Sequence, residues 1–216
     1  MRLFSLSGEY RFEMSTAEEP NFVSVDDYLV AEELATIKSE YINGWVRAMS
    51  GGNVRHNRIK VNLVVCLSNQ LRGKPCQVYD SDMKIRIRQD LSKKFYYPDA
   101  SLVCESNGPT ESFQDRPVLL VEVLSNSTRA IDLDEKLEAY LTIETLQWYI
   151  LLEQHKPLAI LMRRTEKGFL RETIAGLDGT IELSILGLKL PLSEVYAEVD
   201  FTATAIHESE LTYEIE

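Results

Sequence analysis

The sequence predicts an α/β protein of mixed α and β type, with one β-sheet flanked by helices. Three observations lead there. Apolar residues return at helical spacing in two stretches: Ile59, Leu63, Cys66 or Leu67, Gln70 or Leu71; and Leu133, Leu137, Tyr140, Leu141. MKIRIR alternates with period two, setting Ile85 and Ile87 on one face and Lys84, Arg86 and Arg88 on the other. PVLLVEVLS, LQWYILLE and LAILMRR are short apolar runs bounded by turn residues, as buried strands are. The order helix, hairpin, helix, strands, helix, strands sets helices against a sheet.

Each element has its local reason. Ser24-Val25-Asp26-Asp27 resembles a capping box and opens a helix through about Leu34. Asn43-Gly44 between apolar-alternating flanks predicts a tight hairpin. Asn53 follows Gly51-Gly52 as the N-cap of the next helix, which Gly73 closes. CQVY, MKIRIR, FYYPDASLVCE and VLLVEVLS read as strands, with Pro98 suited to a strand start or an edge. A helix over 131–143 follows, then strands LQWYILLE, LAILMRR, GFLRETI and TIELSILGLKL, and a short helix at Leu192–Tyr196.

With 216 residues and 44% hydrophobic content the chain can bury one substantial core. The expected layout is a poorly ordered leader over 1–20, in which Met14 is an alternative start, one domain over 21–198, and an acidic tail over 199–216. No apolar run approaches the ~18 residues of a membrane span, and the N-terminus lacks the pattern of a secretory signal. Three cysteines form no CxxC pair, and Cys66 and Cys104 sit in apolar runs as buried free thiols would; this predicts a reducing, cytoplasmic setting.

The net charge of −11 argues against a nucleic-acid partner. Its distribution weakens that argument. Residues 194–216 carry −7 and residues 1–20 carry −2, leaving −2 for 21–193. A nearly neutral body can present a local basic groove.

Two acids interrupt this apolar background. Glu122 lies inside PVLLVEVLS, where an ionised carboxylate costs several kcal/mol unless paired. Asp99 follows Pro98 on the preceding strand. If the two strands pair and both acids face one point, their repulsion calls for a cation, and Mg²⁺ (or Mn²⁺) suits oxygen donors. The structural alternatives are a turn acid at Asp99 and a buried ion pair at Glu122. Lys136 lies on the flank of the apolar stripe of its helix, placed either to snorkel outward or to lean toward Glu122 and balance charge on a phosphate.

Proline-aspartate on one strand and an acid near the end of the next resembles the PD-(D/E)XK nuclease superfamily. The lysine usually found two residues after the second acid is absent, since position 124 is leucine; Lys136 matches branches that carry it on the following helix. EYINGWVRAMSGG, RHNRI, SDMKIRI, YYPDASLV, LLVEVLSNST and IDLDEKLEAY followed by LQWYILL resemble one branch, the Uma-two family, over about residues 24–155. The resemblance implies a restriction-endonuclease-like central mixed β-sheet flanked by α-helices. It also implies Asp99 and Glu122 as metal ligands, Lys136 as catalytic base or charge stabiliser, and Glu40 as a further ligand or water-positioning acid. The implied partner is DNA, with a homodimer as one arrangement, in which LQWYILLE and LAILM serve as interface or core.

Weaker candidates remain. His56 and Arg58, in the first turns of the long helix, and Lys84, Arg86 and Arg88, in a row with Asp82, could contact nucleic acid; an exposed helix start and the wet face of a strand are the default readings. Arg129 and Asp132 flank the start of the lysine helix and shape that turn. His155 and His207 have no partner legible in the sequence. No His/Cys cluster suggests zinc and no glycine-rich loop suggests a nucleotide. The function expected is a Mg-dependent DNA endonuclease. The alternative is an inactive or weakly active nuclease-like scaffold that binds nucleic acid or protein. A carboxylate-pair glycosidase ranks third, lacking aromatic platforms beside the acids.

Overall fold

In the computed structural model, residues 22–49, 51–89 and 92–202 are described. The leader and most of the acidic tail lie outside them. Helix α1 (Val25–Leu34) is capped by the Ser24 hydroxyl, which accepts from the Asp27 N–H at 3.1 Å. Strands β1 (Ser39–Ile42) and β2 (Trp45–Ala48) form the expected hairpin. Asn43 and Gly44 take φ of 51° and 98°, the left-handed values a two-residue turn requires. Helix α2 (Val54–Leu71) buries Ile59, Leu63, Cys66, Leu67 and Leu71, while Gln70 instead donates to the Lys189 carbonyl at 2.7 Å.

The central β-sheets are mixed and flanked by helices, but there are three where one was expected. β3 (Gln77–Asp80), β6 (Ala100–Val103), β8 (Pro117–Leu124), β9 (Trp148–Glu153), β10 (Leu158–Thr165) and β11 (Gly168–Ala175) form one sheet, ordered β11-β10-β9-β8-β6-β3. β4 (Lys84–Gln89), β5 (Ser92–Tyr96) and the short β7 (Phe113–Gln114) join the hairpin in a second, ordered β2-β1-β5-β4-β7. The reason is Pro98. It has no N–H to continue a ladder, and FYYPDASLVCE, expected as one strand, splits there between the two sheets. TIELSILGLKL is likewise a hairpin: β12 (Thr180–Leu183), a 3₁₀ turn ending at Gly187 with φ 61°, and β13 (Leu188–Pro191). Helix α5 (Leu192–Val195) follows. The helix expected over 131–143 is two, α3 (Arg129–Leu133) and α4 (Glu135–Leu141), broken where Asp134 takes φ −125° and ψ −82°.

Alternation along β8 sorts the core. Leu119, Val121 and Val123 face α2, α5 and the β12–β13 hairpin. Leu120 and Leu124 face the other way, with Tyr140 of α4 and Ile85 and Tyr96 of the second sheet. Glu122 shares their parity, so it points into the layer between the sheets. A third cluster joins Tyr28, Tyr41, Phe95 and Phe113 under α1. The expectation of a solvated row along β4 is corrected at Lys84, which is buried, donating to the Tyr97 hydroxyl at 3.2 Å, and burial pulls its pKa down. Asp82 lies in the β3–β4 turn, outside the strand. Cys66 is a buried free thiol, pushed up to about 11 chiefly by burial. Cys104, expected to be free, is instead disulfide-bonded to Cys76, because antiparallel β3 and β6 set their ends side by side. No helix among the described residues is long and apolar enough to cross a membrane.

Candidate functional site

The register of β6 and β8 builds the site. Ala100 pairs with Val121, so Asp99, one residue earlier, stands beside Glu122. Asp99 Oδ2 accepts the Val123 N–H at 2.7 Å and lies 3.1 Å from His56 Nε2. His56 reaches it because Asn53 caps α2 by accepting the His56 N–H at 2.9 Å, which turns the first helical turn toward the sheet edge. His56 is therefore half-buried at the site, where an exposed helix start was the default expectation.

Lys136 on α4 enters from the opposite side. Its ammonium lies 2.9 Å from Glu122 Oε1, 3.0 Å from Glu40 Oε1 and 3.4 Å from Asp132 Oδ1. All four are buried, with relative exposures of 5% for Lys136, 4% for Glu122, 5% for Glu40 and 1% for Asp132. Tyr140, one turn further along α4, also donates to Glu122 Oε1 at 3.1 Å. The hairpin register puts Arg47 across from Glu40. Arg47 donates to Glu40 Oε2 at 2.7 Å and holds Glu135 of α4 at 2.9 Å, fixing the hairpin to the helix.

Burial pushes the Glu122 carboxyl well above the usual range; Lys136 opposes the shift, and Asp132 and Asp99 add to it. Asp132 is raised as well, again chiefly by burial. Burial works against the Lys136 charge, but Glu122, Glu40 and Asp132 together outweigh it and hold the ammonium protonated. The result is one buried cation set among three acids, with burial working against the charge of Glu122 and Asp132.

Three adjoining cavities of about 70, 280 and 220 Å³ share Met49 as a wall. The smallest holds His56, Asp99, Glu122, Asp132 and Lys136. The implied Mg²⁺ can be tested against these donors. Their chemistry is right, hard oxygens in a small cavity. Their arrangement is not: among the described residues no group of three or more His, Cys, Asp or Glu side chains is gathered so as to hold a metal ion. The Lys136 ammonium itself lies among Glu40, Glu122 and Asp132.

Other sequence candidates fall elsewhere. Arg58 lies on α2, exposed, 3.7 Å from Glu198. Arg86 is held in a two-point pair by Asp115 at 2.6 and 2.7 Å, its guanidinium 4.0 Å over the Phe113 ring. Arg129 is paired with Glu153, and His155 Nδ1 is 3.0 Å from Arg55. Asp132 and Tyr140 were missed as site residues. Tyr140 stands four residues after Lys136 on the same helix, so helical spacing sets those two on one side, whereas Asp132 reaches the ammonium across the break at Asp134.

The chain matches the Uma2 family, described as "Putative restriction endonuclease", over residues 25–193. It belongs to that family. Two Synechocystis proteins are similar to this Uma2 chain: uncharacterized protein sll1609, 33% identical over 144 residues (65% of this chain, 80% of the relative), and uncharacterized protein slr1290, 31% identical over 180 residues (83% and 94%). A crystal structure from Anabaena variabilis, described as "a putative nuclease belonging to DUF820", superposes with a TM-score of 0.66 at 16% identity, covering 81% of this chain and 97% of that one. At that identity it shows a shared fold. The Uma2 membership agrees with the mixed sheets and flanking helices, a restriction-endonuclease-like architecture.

Proposed function

We propose that this Uma2-family protein is a nuclease-fold module that binds nucleic acid, DNA foremost, along the cleft around Met49, and that its acid cluster is charge-compensated from within by Lys136. The observation that carries this reading is the ammonium set within 3.4 Å of Glu40, Glu122 and Asp132. A protonated lysine there supplies the positive charge that buried carboxylates need. The test measures binding of fluorescein-labelled DNA over a range of salt, with and without Mg²⁺ or Mn²⁺. Binding with the same salt slope in both conditions is expected. Absence of DNA binding, or binding that requires the metal, overturns it.

A second reading, a metal-dependent phosphodiester hydrolase, is favoured by one specific feature. His56, Asp99, Glu122 and Lys136, which arise from four separate elements or loops, line one cavity of about 70 Å³. Glu40 Oε1 and Asp132 Oδ1 beside it are buried without a hydrogen bond of good geometry. Plasmid nicking that needs Mg²⁺ or Mn²⁺ and disappears in Asp99→Ala would establish this reading. Equal nicking by wild type and Asp99→Ala would remove the cluster from the chemistry.

A further inference from the structure

The largest of the three cavities, about 280 Å³, shares His56, Asp99 and the Gly51-Gly52 loop with the acid-lined one. Its outer wall carries Lys38, from the segment before β1, and Lys60 of α2. Both ammoniums converge on the β3–β4 turn. Lys38 Nζ donates to the Ser81 carbonyl at 2.7 Å and to Asp82 Oδ1 at 2.6 Å, and Lys60 Nζ donates to Ser81 Oγ at 3.0 Å. Lys38 thus pairs with the Asp82 carboxylate, while Lys60 sits on the Ser81 hydroxyl of the same turn. Asp82 is held below the usual carboxylate range by Lys38 first, with Lys60 adding to the effect. Its side chain is 80% exposed, and an exposed ion pair is weak and readily exchanged. The carboxylate offers Lys38 what a phosphate oxygen would, a negative charge at hydrogen-bond distance, and lies close enough to Lys60 to feel its charge.

We propose that Lys38 and Lys60 hold a backbone phosphate of a nucleic acid strand lying past the acid-lined cavity, and that Asp82 is the resident anion this phosphate displaces. The inference rests on the nucleic-acid reading above and adds the strand's route and its gate. It explains how a chain of net charge −11 can accept a polyanion: the acids of the cluster are neutralised by Lys136, and the Lys38 cation beside them is covered by a carboxylate that swings away.

The test uses the full chain and fluorescein-labelled 20-base DNA, single-stranded and duplex, in anisotropy titrations at several salt concentrations. Lys60→Ala and Lys38→Ala should each weaken binding about fivefold at low salt and lower the salt slope by about one. Asp82→Asn should tighten binding about threefold, a gain that a merely structural turn residue would not give. Melting temperatures of the three variants check folding. If wild type binds DNA and the variants match it, this phosphate site is wrong while the nucleic-acid reading stands. If wild type fails to bind, both ideas fail.

Discussion

The Lys136 ammonium donates to Glu122 Oε1 at 2.9 Å from a helix that starts eleven residues after β8 ends, and both partners are buried. This pair decides the energetics of the centre. An ion taken from water costs several kcal/mol, and only close, complete pairing offsets it. The pair is therefore poor as a net source of stability, and breaking it is costly.

Lys136→Met should lower folding stability by about 3–5 kcal/mol, the range for removing one partner of a buried ion pair. The double variant Lys136→Met/Glu122→Gln should regain part of that loss, since the stranded charge is gone. Urea unfolding of the two variants and wild type measures both. A double variant no more stable than Lys136→Met would show that packing, not charge, dominates the site.

The raised Glu122 pKa has a definite pH signature. The folded carboxyl keeps its proton at pH values where the unfolded chain has lost it. The folded state then binds more protons, so this group's contribution falls as pH rises from the ordinary carboxylate range toward the raised folded value. Glu122→Gln removes that slope. Its stability relative to wild type should improve steadily as the pH is raised above about 4.5, read from unfolding curves at pH 5, 6, 7 and 8. A flat difference across that series would contradict the shift.

Gly52→Ala should separate His56 from Asp99. A Cβ at Gly52 would stand 2.6 Å from His56 Nδ1, too close for contact without moving the ring. Gly52 is exposed, so the global cost should stay within about 1 kcal/mol. Imidazole resonances in a histidine-selective NMR spectrum should shift for His56 and stay in place for His155. An unmoved His56 signal would mean that the loop, not the ring, yields.

Reduction should matter at a distance from the site. The Cys76–Cys104 bond closes a 28-residue segment, worth about 3.5 kcal/mol in the chain-entropy account. Melting with and without reductant should show a clear drop on reduction that Cys66→Ser does not reproduce. Identical melting curves would argue that the crosslink adds nothing to the folded state.

Much of this architecture was legible because periodicity and turn chemistry act locally. The α2 stripe, the Asn43-Gly44 hairpin and the pairing of the Asp99 and Glu122 strands follow from spacing and turn residues alone. The approach of Glu40 to Arg47 could also have been counted from the hairpin, as the third residue out from a two-residue turn on each side. Other features are decided by tertiary packing. Nothing local says that Lys84 is buried, that the chain changes sheet at Pro98, or that the lysine helix breaks at Asp134. Cys76 and Cys104 are 28 residues apart, and only the β3–β6 register brings them together. His56 was underrated for the same reason: a helix N-terminus reads as exposed until the sheet edge beside it is known.

Glu40 belongs to one sheet and Glu122 to the other, and a single ammonium grips both. Lys136 is thus a rivet between layers as well as a charge. A replacement that empties its position would unfasten the hairpin from the strand beneath it, so any loss of chemistry in such a variant would arrive together with a mechanical loosening of the two slabs.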